Sequence, residues 1–327
     1  MNARTKFRVA MASLLAAFLI APAAAHAQAW PSKPIHFIVP FAAGGVADVV
    51  ARTIASPLGD ALGQPIIIEN HGGAGGTIGT ALGARSAPDG YTFIIPAASH
   101  TTTPGLYTHL PFDPVKDFAA VTQVVTVPYI LVVNPSLPVK NVKEFIALAK
   151  SKPNQLVYGS AGNGSSNHLA GALFAIMSGI DVVHSPYKGS GPALTDLMGG
   201  HIQFMFDTIN TSVGHIKAGN IRALGIGTLK PSRVMPDLPT ISDSGVPGFE
   251  AATWIGVLAP AGTPKEIVAR MHNEIVKVLQ IPEVQQRLSS QGAEPVGSTP
   301  EQFDAFIRNE IVKWGKVIKQ TGVPPVQ

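Results

Sequence analysis

Cysteine is absent from all 327 residues. That one absence removes disulfides, thiolate nucleophiles and a lipid-modified cysteine together, so stability has to come from apolar packing. Basic clusters are missing too. No run of Lys and Arg and no basic stripe interleaved with aromatics occurs, which excludes a nucleic-acid partner. Enzyme signatures are lacking: there is no G-x-S-x-G elbow and no H-E-x-x-H. The histidines, among them His36, His71, His100, His109, His168 and His184, show no metal-ligand spacing, so neither a metal nor another cofactor is expected. The glycine run Gly72-Gly73-Ala74-Gly75-Gly76 is followed by Thr77-Ile78, which leaves G-x-G-x-x-G without its third glycine; no P-loop exists either. It reads as a loop and helix entry.

What is present begins with an address. Arg4, Lys6 and Arg8 precede an apolar run over 9–20, and Ala25-His26-Ala27 follows as an A-x-A pattern. The run has the length of a signal-peptide core and is short for a membrane span, the other reading of this segment. Cleavage is expected near Ala27/Gln28. Losing those three basic residues takes the formal charge from +4 to +1, so the basic balance belongs largely to the leader. Beyond it no stretch reaches transmembrane length without a charge, proline or glycine cluster, and enough chain remains for two cored domains.

The mature chain alternates strands and helices. A β-branched, aromatic run over 35–41 breaks at Ala42-Ala43-Gly44-Gly45, and apolar residues then recur at helical spacing over 46–62. Strands follow at 66–69 and 91–95, with a helix at 77–84 between them. The pattern restarts with a strand at 127–133, a helix at 142–150, a strand at 156–160, a glycine loop and a helix at 165–177. Strands at 182–184, 202–206 and 223–227, with a helix at 191–198, complete that half. A strand at 254–260 and three helices, 265–279, 282–290 and 300–320, close the chain. Such alternation argues for parallel sheets covered by helices.

Two loops carry the chemistry. A helix start exposes unpaired N–H groups and the positive end of the helix dipole, and glycines let an anion approach the backbone. The first such loop holds Ala43, Gly44 and Gly45, with Asp48 in the first turn. The second holds Ser160, Gly162, Asn163, Gly164 and Ser165, with His168 a turn into the helix. Each is equally readable as a tight strand-to-helix turn that holds nothing. Asp48 also reads as a first-turn acid that satisfies backbone donors, and His168 as a packed or capping histidine. Ser160 with His168 suggests a nucleophile and base, but no third group accompanies them. Tyr187, in a polar glycine-rich turn, could rim a cleft. Asp207 ends a strand, where ligands of open α/β sheets collect; its charge favours bracing a loop over touching an anion.

Seven segments in order resemble a known family: Trp30-Pro31-Ser32-Lys33-Pro34-Ile35; Pro40-Phe41-Ala42-Ala43-Gly44-Gly45-Val46-Ala47-Asp48; Glu69-Asn70-His71-Gly72-Gly73; Gly159-Ser160-Ala161-Gly162-Asn163-Gly164-Ser165 with His168; Pro186-Tyr187-Lys188-Gly189; Pro236-Asp237-Leu238-Pro239-Thr240; and Ala259-Pro260-Ala261-Gly262-Thr263-Pro264. Together they are similar to the solute-binding proteins of tripartite tricarboxylate transporters, the Bug family. The resemblance implies an α/β, two-lobed periplasmic binding protein type II (Venus-flytrap) fold, each lobe a mainly parallel sheet flanked by helices. Lobe 1 would hold 28–128 plus 251–327, and lobe 2 would hold 129–250. It implies periplasmic capture of a small carboxylate (dicarboxylate, tricarboxylate, amino acid or aromatic acid) and delivery to inner-membrane transporter subunits. The ligand carboxylate would be pinched between Ala43, Gly44 and Gly45 on one side and Ser160, Gly162, Asn163, Gly164 and Ser165 on the other. Where the family often has proline and glutamate, this chain has Ala43 and Ala172. Ser99, His100, Thr126, Tyr187 and Thr208, at strand ends or in adjacent loops, are candidate specificity walls. The same clamp would serve a sensor that presents its closed form to a membrane kinase.

Overall fold

The computed structural model describes residues 30–232, 235–321 and 325; the expected leader lies outside the described residues. In chain order the elements are β1 (Ile35–Val39), α1 (Val46–Leu62), β2 (Ile66–Asn70), α2 (Thr77–Ala84), β3 (Thr92–Ile94), α3 (Ser99–Leu106), β4 (Phe118–Val133), α4 (Val142–Ser151), β5 (Val157–Ser160), α5 (Ser166–Ser178), β6 (Val183–Pro186), α6 (Ser190–Gly199), β7 (Phe204–Thr208), α7 (Ile209–Lys217), β8 (Arg222–Ile226), β9 (Ala252–Pro260), α8 (Lys265–Val278), α9 (Pro282–Ser290), β10 (Glu294–Pro295) and α10 (Pro300–Thr321). Lys33–Gln327 forms one compact unit. Among the described residues no helix is long and apolar enough to cross a membrane.

The strands run in the order β2-β1-β3-β9-β4-β7-β5-β6, with β8 and β10 also paired to β4. Both flanks are parallel, β1 with β2 and β3, and β5 with β6 and β7. The centre is antiparallel, because β4 and β9 cross between the flanks and pair over nine residue positions. β4 is the longest strand. Its first part pairs with β9 and β10, and its last residues pair with β7 and β8. The sequence pattern shows only its end, from 127. Register shifts at Ala120/Thr122 and Gln123/Val125 break the in–out alternation that would betray the rest.

Beside a core around Ile130, Leu197, Met205 and Ile226, two more lie along this sheet. One gathers Ile94, Phe112, Phe118, Trp254, Leu258, Phe303 and Ile307. The other gathers Tyr129, Phe145, Tyr158, Leu169, Phe174, Phe204 and Phe249, and also takes in Trp314, Val317 and Ile318 from the last turns of α10. The long terminal helix therefore serves both cores, although the segment containing it was assigned by resemblance to lobe 1 alone.

Helix boundaries follow local chemistry. α1 starts at Gly45, which is extended (φ −72°, ψ 166°), and stops at Gly63, whose φ of 74° is left-handed and whose N–H bonds Gly59 O. Gly79 in α2 is needed for close approach: a Cβ there would lie 2.6 Å from His71 O and 2.8 Å from Pro40 Cα, both backbone atoms. Gly79→Ala is therefore expected to destabilise the protein by about 1–3 kcal/mol, read as a lowered urea midpoint. An unchanged midpoint would show that β1 and α2 can part without cost.

Candidate ligand-binding site

A cavity of ≈ 350 Å³ opens where the carboxyl ends of the flanking strands meet the crossing strands. Its walls include Phe41, Gly45, Val46, Ala47, Ala97, Thr253 and Ile255 from one half of the sheet. Tyr129, Ala161, Ser165, Ser166, Asn167, Ser190, Asp207, Thr208, Asn210 and Thr211 come from the other.

Four helices begin on it: α1, α5, α6 and α7. In α1 the first intrahelical bond runs from Val49 N–H to Gly45 O, and no side chain caps the start, so the N–H groups of Val46, Ala47 and Asp48 have no intrahelical acceptor. α6 and α7 also begin without a side-chain cap, after Gly189 and Thr208. In α5 the Ser165 side chain accepts from His168 N–H, and Ser165, Ser166 and Asn167 line the cavity. Among the described residues no Lys, Arg or His side chain lines the cavity. Each helix start brings roughly half a positive elementary charge of oriented backbone to the cavity, set against the acidic side chain in its lining, Asp207.

The loops at the mouth are held from behind. Asp48 is 2% exposed and turns inward: its Oδ2 accepts from Gly44 N–H (2.8 Å), and Arg52 and Asn70 donate to the same carboxylate (3.0 Å each). Burial pushes its pKa up, but the bonds from Arg52, Gly44 and Asn70 outweigh that and hold it below the usual value. Asp48 is thus a brace. Asp48→Ala strands three donors, and it should cost about 1–3 kcal/mol of stability by denaturant titration. Gly44, freed of its acceptor, should also weaken binding of any carboxylate in calorimetry; unchanged affinity would deny the brace a role in the site.

In the second loop Ser160 is fully buried, and its hydroxyl sits 2.7 Å from His184 Nε2 and 3.1 Å from Gly162 O. His168 Nδ1 accepts from Gly164 N–H (2.9 Å), and its ring stacks on His184 at 3.8 Å between centroids. Burial lowers the pKa of both rings to about 4; for His168 the neighbouring His184 adds to this. Ser160 and His168, taken from sequence as ligand contacts, therefore stand behind the loop and do not line the cavity. Gly162, Asn163 and Gly164 form the turn itself, with Gly162 and Gly164 at φ 132° and 74°, while Ala161 and Ser165 reach the wall.

Other candidates sort similarly. Asp207 and Thr208 line the cavity. Asp207 Oδ2 accepts from Thr211 (2.6 Å) and Ser212 (2.7 Å), and burial raises its pKa despite those donors. Tyr187 points away, its hydroxyl donating to Asp196 (2.7 Å). His100 is a core residue: 3% exposed, stacked on Phe112 and edge-on to Phe118, with Nε2–H on Pro114 O (2.8 Å) and a pKa lowered by burial to about 4. Ser99 packs near Gly76, and Thr126 accepts from Gln123 (2.8 Å); neither lines the cavity. Ala43 and Gly44 are exposed at the mouth, and only Gly45 of that loop joins the wall. The sequence reading missed Tyr129, Thr253, Ser190, Asn210 and Thr211. Tyr129, whose hydroxyl bonds Ser166 and Thr253 and whose pKa burial raises, looked like one more apolar strand residue.

A two-part sheet spanned by crossing strands, with an anion-suited cavity at the crossing, defines a two-lobed solute-binding protein. Within that class the chain belongs to the tripartite tricarboxylate transporter family of receptors, whose model matches residues 50–323. Protein BugT of Bordetella pertussis is 39% identical over 298 residues, covering 90% of this chain and 91% of that one. An R. palustris protein solved with adipate superposes with a TM-score of 0.77 at 38% identity, covering 91% of this chain and 100% of that one. MatC from Rhodopseudomonas palustris, with bound malate, gives 0.72 at 34% identity, covering 88% and 100%. The family's receptors are periplasmic solute-binding proteins, not enzymes, and belong to transport; the sensor-kinase alternative gains no support.

Proposed function

We propose that this protein captures a small organic carboxylate in the cavity between its lobes and delivers it to the membrane subunits of a tripartite tricarboxylate transporter. The observation that carries the reading is the convergence of four helix starts on one cavity that, among the described residues, lacks a cationic side chain. Oriented N–H groups solvate a carboxylate with little reorganisation. Each helix start contributes only about 0.3–1 kcal/mol, so hydrogen bonds from Ser166, Thr208 and Asn210 and contact with Phe41 and Ile255 supply the rest. The adipate and malate held by relatives support small diacids as first probes.

Residues 28–128 with 251–327 act as one lobe and 129–250 as the other, a division supported by the split pairing of β4. Closure is a hinge motion stabilised by a ligand that touches both walls. The leader over 1–27 directs export to the periplasm, with cleavage near Ala27/Gln28. No covalent chemistry is proposed. Ser160 is buried and paired with half-buried His184 rather than exposed to a substrate.

Calorimetry and thermal shift on the mature chain test this with adipate, malate, citrate, glutamate and benzoate. Saturable binding of at least one acid, recovered intact, is expected. Absence of both heat and stabilisation across the panel would overturn the reading.

A further inference from the structure

The second loop is held by two imidazoles that the binding site does not itself use. His168 and His184 lie nearly parallel (8°) with centroids 3.8 Å apart. One holds the loop at Gly164, through Gly164 N–H to His168 Nδ1. The other holds it at Ser160, whose Oγ in turn accepts from Gly162 N–H (3.1 Å). The loop between these points carries Ala161, a residue of the cavity wall, and leads into Ser165, Ser166 and Asn167, three more. Its backbone at Gly162 and Gly164 has positive φ, a shape that local bonds such as Ser165 N–H to Gly162 O and the two imidazole contacts hold together.

An Nδ1 that accepts a hydrogen bond carries no proton, so His168 is neutral with its hydrogen on Nε2. A further proton can enter only at Nδ1, where it would face the Gly164 N–H, donor against donor. It would also place a cation against the His184 face. We propose that His168 and His184 are positioning residues of the ligand loop, a stacked neutral pair that keeps the carboxylate-binding wall in shape, and that acid opens the wall by protonating them. The proposal rests on the carboxylate reading above.

Among the described contacts of the two rings none is charged. From β5, Tyr158 packs on His184 (4.8 Å) and His168 (6.2 Å), and from β7, Phe204 stacks against Tyr158. From the loop and α5 come Gly164 N–H, Ser160, Ser165 and Asn167, all uncharged. Burial, with His184 acting on His168, accounts for their depressed basicity, and no carboxylate takes part. A proton added at His168 Nδ1 therefore meets a donor and no carboxylate among the described contacts.

Two measurements test this. On the native chain labelled with ¹⁵N-histidine and ¹⁵N-glycine, NMR without ligand should show His168 as the Nε2–H tautomer. Both rings should titrate near pH 4 rather than 6.5, and the Gly164 amide should move with them. A ring that titrates near its ordinary value, or a Gly164 amide that stays still, overturns the proposal. Calorimetry with adipate, or with malate if adipate does not bind, then compares the native chain with His168→Gln at pH 6.5 and pH 4. Glutamine keeps an acceptor for Gly164 and does not titrate, and ligand protonation is common to both proteins. The native chain, with His168 about half protonated at pH 4, should lose about twofold more affinity than His168→Gln over this range, while His168→Leu, with no acceptor, should bind poorly at both values. Parallel losses in the native chain and His168→Gln overturn it. If no acid binds at either pH, the carboxylate reading fails, and the NMR titration alone decides whether the pair holds the loop.

Discussion

Ser166→Asp is expected to abolish carboxylate capture and leave the fold intact. Ser166 is the first residue of α5 and part of the cavity wall. Aspartate suits the first turn of a helix, where the dipole favours a negative side chain. The Tyr129 hydroxyl, which already bonds Ser166, can donate to it. The new carboxylate then takes the donors meant for the ligand. Juxtaposed like charges cost several kcal/mol, and about 2.8 kcal/mol already corresponds to a hundredfold in Kd. Calorimetry should therefore show affinity reduced about a hundredfold or more, with the thermal midpoint unchanged or raised. A folded variant that binds as tightly as the native chain would remove α5 from the site.

The second large effect is acid destabilisation, and its sign is fixed by three histidines. His100, His168 and His184 have folded pKa values lowered from 6.5 to about 4, in each case chiefly by burial. The unfolded chain takes up these protons first, so stability falls as pH drops below 6.5 and the loss levels off below about 4. Keeping an imidazole neutral across that window costs on the order of 1–3 kcal/mol. Three of them approach the whole stability of an ordinary domain, about 5–15 kcal/mol. Asp207, whose pKa is raised by burial, works weakly the other way. Asp48 and Asp113, held below their ordinary values, add losses only at lower pH. Urea midpoints measured across the window should fall steeply; a flat profile between pH 6.5 and 4 would mean that these rings are solvated.

The flanks of the fold were legible because their chemistry is repetitive. β1 and α1, and β5 and α5, announce themselves through a β-branched run, a glycine break and an apolar helical period. α3 and α7 escaped notice. α3 reads Ser-His-Thr-Thr-Thr-Pro-Gly-Leu, with no apolar stripe and a proline inside, and it persists because α10 packs on it: a Cβ on Gly105 would lie 2.8 Å from Ile318 Cδ1. α7 is mostly polar, and its weak apolar period hides Asn210 and Thr211, two of the ten residues of one wall of the site. The two glycine loops were visible as helix starts. Which of their atoms face inward depends on distant partners such as Asn70 and His184, and no local pattern encodes those.

α10 has a consequence for the order of events at the ribosome. Phe303 and Ile307 complete one core, and Trp314, Val317 and Ile318 complete the other. Every earlier strand can have been synthesised while both interiors still lack a wall. A nascent chain of this protein leaves these two cores open until α10 emerges. Its window for chaperone capture, misassembly or threading through a narrow channel therefore spans nearly its whole synthesis.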